Sequence, residues 1–155
     1  MIDYYGLPGD FPGAKQAAGE PITARRAALL ERAMTEELGN PLPPETLRRF
    51  IPHVSMHEFE GLLFSRPDRI AEVLMDDGPL PRLREIRGSF QTPEDIDDGP
   101  TTAPSKRLLA HFPRYKKRVD GPSITEAIGL PVIRRECPLF DAWLTRLESL
   151  EPLEP

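Results

Sequence analysis

His57, Glu58 and Glu60 stand within four residues of one another in the string SMHEFEGLLF. An imidazole and two carboxylates at such spacing can hold a divalent cation or supply a general base. In extended backbone Glu58 and Glu60 share one face, whereas in a helix they diverge and His57 becomes the neighbour of Glu60. The plainer reading is a helix start, with His57 as cap and the two acids favoured by the helix dipole. A second candidate is Asp3, with Asp10, in MIDYYGLPGDFPG. A carboxylate at the C-terminal end of a parallel strand points into the crevice where α/β sheets bind ligands, and Mg²⁺ takes one or two such groups plus waters and phosphate. An Asp at a strand end can equally cap a turn.

The third concentration is a pair of opposite charge blocks. EDIDD gathers four acids in five residues, and Lys106, Arg107, Arg114, Lys116, Lys117 and Arg118 follow with no acid among them. With His111 and Tyr115 interleaved, that basic segment can track a phosphate backbone. It can also be a solvated face paired with the acids before it.

The elements that must position these groups are short. PITARRAALLERAMTEELGN holds the best helix, with Thr23 as cap, a stripe of Ala27, Leu30, Met34 and Leu38, and Gly39-Asn40 as its stop. PLPPET reads as a loop. RRFIPHVSM is a strand candidate that Pro52 confines to an edge or bulge. Ile70, Val73 and Leu74 define a helix in RPDRIAEVLM, and PLPRLREI adds a turn or two. Thr92 caps a start with Pro93 at its first position. Ser105 and Ser123 are expected caps of the next two helices, and Gly129 ends the second. The last helix, CPLFDAWLTRLESL, aligns Phe140, Trp143, Leu144, Leu147 and Leu150, with Trp143 as a core anchor.

One or two strands against five to seven helices is a poor ratio for a self-sufficient parallel sheet. The expected fold is therefore α/β but partial: helix-rich, and either incomplete or docked onto something that supplies the missing strands. Length and composition agree with one domain over residues 1–155. The 155 residues are 39% hydrophobic and 29% charged, which is globular but lean in core. No internal repeat is present. Nineteen prolines predict many short elements. A net charge of −5 disfavours adhesion of the whole surface to nucleic acid while leaving room for a local basic site. Cys137 is the sole cysteine, so no intrachain disulfide can form, and a buried, inert thiol in a reducing, cytoplasmic setting is expected. No apolar run approaches the ~20 residues of a membrane span, so no membrane partner is expected.

Taken in order, MIDYYGLPGDFPG, IPHVSMHEFEGLLFS, TPEDIDDGPTTAPSKRL and IRRECPLFDAWLTRLE resemble the domain-of-unknown-function family 4276, a group regarded as Toprim-like. The resemblance implies Mg²⁺ or Mn²⁺ as cofactor, phosphodiester chemistry of the nuclease type, and an AAA- or ABC-type ATPase partner in a prokaryotic defence setting. It implies metal binding by Asp3, Glu58 and Glu60, catalytic roles for Glu58, Glu60 and Lys106, and substrate contacts from His57, Lys106 and Arg107. Lys106 falls on the lysine of the family's APSKR string, with Arg107 beside it. The family's first glutamate motif, of the VEG type, has no match here, and Ile2-Asp3-Tyr4-Tyr5 reads as the tail of an interior strand. The chain is therefore expected to lack the first part of the family domain. The alternative expectation is a non-catalytic interaction subunit that docks on the ATPase.

Overall fold

Prolines open helices in this chain more often than they end them. At the first turn of a helix the missing N–H has no intrahelical partner to lose, and the fixed φ suits the helix. The computed structural model describes residues 2–39, 41–56, 58–96 and 102–151. Its elements in chain order are β1 (Ile2–Asp3), α1 (Ala14–Ala18), α2 (Thr23–Gly39), α3 (Pro44–Leu47), β2 (Val54–Ser55), α4 (Glu60–Leu63) and α5 (Pro67–Leu74). There follow α6 (Leu80–Gly88), α7 (Pro104–His111), α8 (Lys117–Ile128), α9 (Leu130–Glu136) and α10 (Pro138–Glu148). Proline stands in the first two positions of α3, α5, α6, α7 and α9. Many turns were expected from the proline count; the helix starts explain why there are more helices than the five to seven expected.

The helix-rich character holds, and strand content is small. The pairing of β1 with β2 is parallel, in register Ile2 with Val54 and Asp3 with Ser55. Of the extended segment expected over RRFIPHVSM, only Val54–Ser55 is strand. PLPPET, read as a loop, contributes the single turn α3.

The chain divides into two compact units, Met1–Met56 with Leu139–Pro155, and His57–Pro138. In the first, Ala17, Ala27, Leu30, Val54 and Met56 form a buried cluster. Gly13 lets α1 approach α2: its φ is 78°, and a Cβ there would lie 2.8 Å from that of Ala33. Glu31 of α2 accepts a hydrogen bond from the Val54 N–H at 3.2 Å and lies 3.6 Å from Nδ1 of buried His53. The imidazole stacks on Trp143 of α10, ring centroids 4.9 Å apart and 18° from parallel. Trp143 is thus an anchor, though a half-buried one. Thr23 is the first residue of α2 rather than its cap; the Arg26 guanidinium ties that helix start to the Glu20 carbonyl at 2.9–3.0 Å.

In the second unit Leu63, Phe64, Ile70, Leu83, Leu108 and Ile124 are wholly buried, and α8 packs on both α4 and α5. Thr92 does precede a helical turn with Pro93 first, and the Asp95 carboxylate accepts from its N–H and hydroxyl at 3.1 and 2.8 Å; the turn is a 3-10 turn of three residues. Ser123 is not a cap. The helix begins six residues earlier because the Asp120 carboxylate accepts the Lys116 N–H at 2.6 Å, and Ser123 instead donates to the Val119 carbonyl at 3.3 Å. Gly129 ends α8 as expected, with φ 82°. Cys137 is buried with its sulfur 3.4 Å from the Ser65 hydroxyl, and burial pushes the thiol up to about 12. That is the inert thiol expected from the sequence. Among the described residues, no helix is long and apolar enough to cross a membrane.

Candidate functional site

Glu60 is the chemically distinctive residue of the second unit. It opens α4 and is buried to 1% exposure, where an ionised carboxylate needs a partner. Two groups from the α7–α8 segment meet it. The Tyr115 hydroxyl donates to Oε1 across a long 3.5 Å, and the Lys117 ammonium lies 2.8 Å from Oε2. Oε2 makes no aligned hydrogen bond, so the lysine contact is an ion pair whose donor geometry is poor. The close distance still places the charges together, and Coulomb attraction needs no N–H alignment.

Burial, first, and then the Glu60 carboxylate hold the Tyr115 hydroxyl well above its usual range, so it serves as a neutral donor. Gly121 makes room for this cluster. A Cβ at that position would sit 2.9 Å from the Phe59 ring and 3.4 Å from the Tyr115 hydroxyl. The smallest side chain at this point of α8 is thus what lets the helix close over Glu60.

Glu58 takes a different direction. With Phe59 helical in conformation, Glu58 and Glu60 do not share the face that an extended backbone would impose. Glu58 Oε2 accepts the Ser105 N–H at 2.8 Å. Ser105 is therefore not the cap of α7. Pro104 occupies the first helical position, the capping position falls to Ala103, which has no side-chain acceptor, and Glu58 supplies the acceptor from a distant part of the chain.

Lys106 is exposed on α7. Its neighbour Arg107 is partly buried, donates to the Thr102 carbonyl and rests over the Phe90 ring at 5.7 Å. Arg114, Lys116, Lys117 and Arg118 are exposed around the turn into α8. Asp3 ends β1 in the other unit, its side chain outside the described residues, and Asp10 is exposed in a turn. His57 lies outside the described residues, as do Asp97 and Asp98 of the acidic block.

The residues that the sequence did not connect to Glu60 are Tyr115, Lys117 and Gly121. Tyr115 and Lys117 were visible as members of a basic, aromatic-bearing run. Nothing in linear spacing ties them to a glutamate 55 and 57 positions earlier.

Among the described residues, no group of three or more His, Cys, Asp or Glu side chains is placed to hold a metal ion. An all-protein cage is thus not what they form. Buried Oε2 of Glu60, without a hydrogen bond and already facing a cation, fits the other mode, in which Mg²⁺ takes one carboxylate and completes its shell with water and substrate oxygens.

Fold and site together define a helix-rich protein with a buried glutamate facing a cation-rich turn. A family model described as "Domain of unknown function (DUF4276)" matches residues 1–148, and the chain belongs to that family. No curated protein and no solved structure matches it.

Proposed function

We propose that the protein is a Toprim-like, metal-dependent phosphodiesterase, of the nuclease kind, or a nuclease-related subunit of a prokaryotic defence system with an AAA- or ABC-type ATPase as partner. The observation that carries the reading is Glu60: a carboxylate withdrawn from water, oriented by Tyr115 and bordered by exposed cations of the α7–α8 turn. Glu60 would hold Mg²⁺ or Mn²⁺, with water and substrate oxygens completing the shell. The bound ion would polarise a phosphoryl oxygen and lower the pKa of a water. The chain's own part is to hold Glu60 fixed and to attract a polyanion through Lys106, Arg114, Lys116 and Arg118. His57 and Arg107 complete the proposed substrate contacts, with Arg107 held in place by the Thr102 carbonyl and the Phe90 ring.

The direct test assays DNA and RNA cleavage with Mg²⁺ and with Mn²⁺, in the presence of the ATPase, for the natural chain and for Glu60→Ala. A loss of 10²-fold or more in the variant is expected. Absence of cleavage by the natural chain with either metal would overturn the proposal.

One observation favours the alternative of a non-catalytic docking subunit. The apolar residues Phe140, Trp143, Leu144 and Leu147 of α10 are only half-buried, and the helix has no buried residue. Co-purification with the ATPase that persists in Glu60→Ala, without cleavage by either form, would favour that reading.

A further inference from the structure

The contact between Lys117 and Glu60 is unequal. The carboxylate side chain is 1% exposed and the lysine side chain 53%. Glu60 begins a helix beneath α8 and cannot turn to water without unpacking. Lys117 sits at the start of α8 on a four-carbon stem, and the ammonium itself gains hydration when it swings into solvent. A buried carboxylate needs a counter-charge whatever its source, since an unpaired one in the interior is strongly unfavourable. Oε2, moreover, is bound by attraction alone and by no aligned hydrogen bond. An ammonium and a divalent cation cannot share one oxygen at such distances without strong repulsion.

We infer that Lys117 is an exchangeable counter-cation of Glu60: its ammonium covers Oε2 in the resting chain and must withdraw before that oxygen can accept a divalent cation. The inference deepens the proposed function and rests on its reading of Glu60 as a cation ligand. Withdrawal delivers the Lys117 charge to a surface that already carries Arg114, Lys116 and Arg118. A phosphate group at that surface offsets the added repulsion, so phosphate and divalent cation should bind with mutual assistance. Tyr115 keeps its contact with Oε1 throughout, which holds the carboxylate in place while its partner changes.

The probe is Mn²⁺ alone, added to the full chain and followed by the electron paramagnetic resonance signal of the free ion. Lys117→Met keeps the stem and removes the charge, and it should bind Mn²⁺ at least tenfold more tightly than the natural chain. Glu60→Gln and the double variant should lose that site. In the natural chain, saturating Mn²⁺ should raise acetylation of Lys117 severalfold, mapped by mass spectrometry with Lys116 as internal reference. Glu60→Gln should abolish that rise. Equal or weaker binding by Lys117→Met, or labelling of Lys117 that ignores Mn²⁺, overturns the inference; the labelling decides if Lys117→Met fails to fold. Exchange without cleavage would sink the nuclease reading alone. Glu60-dependent cleavage with labelling indifferent to Mn²⁺ would sink the exchange alone.

Discussion

The two units each bury a charged or titratable side chain, and they treat it differently. In the first, His53 is 5% exposed and faces an aromatic ring, with Glu31 alongside at 3.6 Å. Glu31 is partly exposed and also accepts the Val54 N–H, so removal of the imidazole leaves it with other partners. In the second, Glu60 is the buried partner and Lys117 the exposed one. The charge that cannot leave is then the one with the fewest alternatives. A cluster whose buried member is a stacked ring stabilises packing. A cluster whose buried member is a carboxylate with an exposed cation is open to exchange of that cation.

The contrast is sharpest at Lys117. Removal of one partner of a buried pair costs about 3–5 kcal/mol, and the exposure of Lys117 reduces that to roughly 2 kcal/mol. Lys117→Met should therefore lower unfolding free energy in urea by that amount without metal, and adding Glu60→Gln should recover most of it. A loss that the second substitution does not recover would show that Lys117 acts through packing rather than charge.

His53→Leu tests the other side. It keeps an apolar surface against Trp143 and gives up the ring stack and the contact with Glu31, for an expected loss of about 1 kcal/mol. Urea unfolding followed by the fluorescence of Trp143 measures it. A loss as large as that of Lys117→Met would erase the distinction between the two clusters.

The smallest effect belongs to Cys137, buried in the same unit as Glu60 but sealed beside Ser65. Its folded pKa of about 12 lies above the ordinary value of 9.0. The unfolded thiol therefore loses its proton first, and its contribution to stability is full well below pH 9 and falls as pH rises through 9 toward 12. Between pH 7 and pH 9 the natural chain should lose about 0.4 kcal/mol more than Cys137→Ala. Parallel losses in the two chains would mean that the thiol is open to solvent, as Lys117 is.

Much of the local structure was legible because it depends on neighbours in sequence. The stripe of α2, the start at Thr92-Pro93 and the stop at Gly129 all follow from residues within a few positions of one another. The serines misread as caps show the limit. Ser105 and Ser123 have the right chemistry for capping, but Glu58 and Asp120 reach the free N–H groups at those helix starts instead. A cap depends on which acceptor the backbone brings near, and residue type alone does not decide that.

The sequence by itself marked Asp3, His57, Glu58, Glu60, Lys106 and the basic run with Arg107 as candidates for chemistry, and it carried the motifs that place the chain in its family. Tertiary structure alone decided what each one meets. The helical conformation around Phe59 parts Glu58 from Glu60, and one carboxylate caps α7 while the other lies buried beneath α8. The pairing of Glu60 with Lys117 depends on the close approach that Gly121 allows. Burial and Coulomb energy are set by distances through space, and a separation of 57 positions in the chain says nothing about a contact of 2.8 Å.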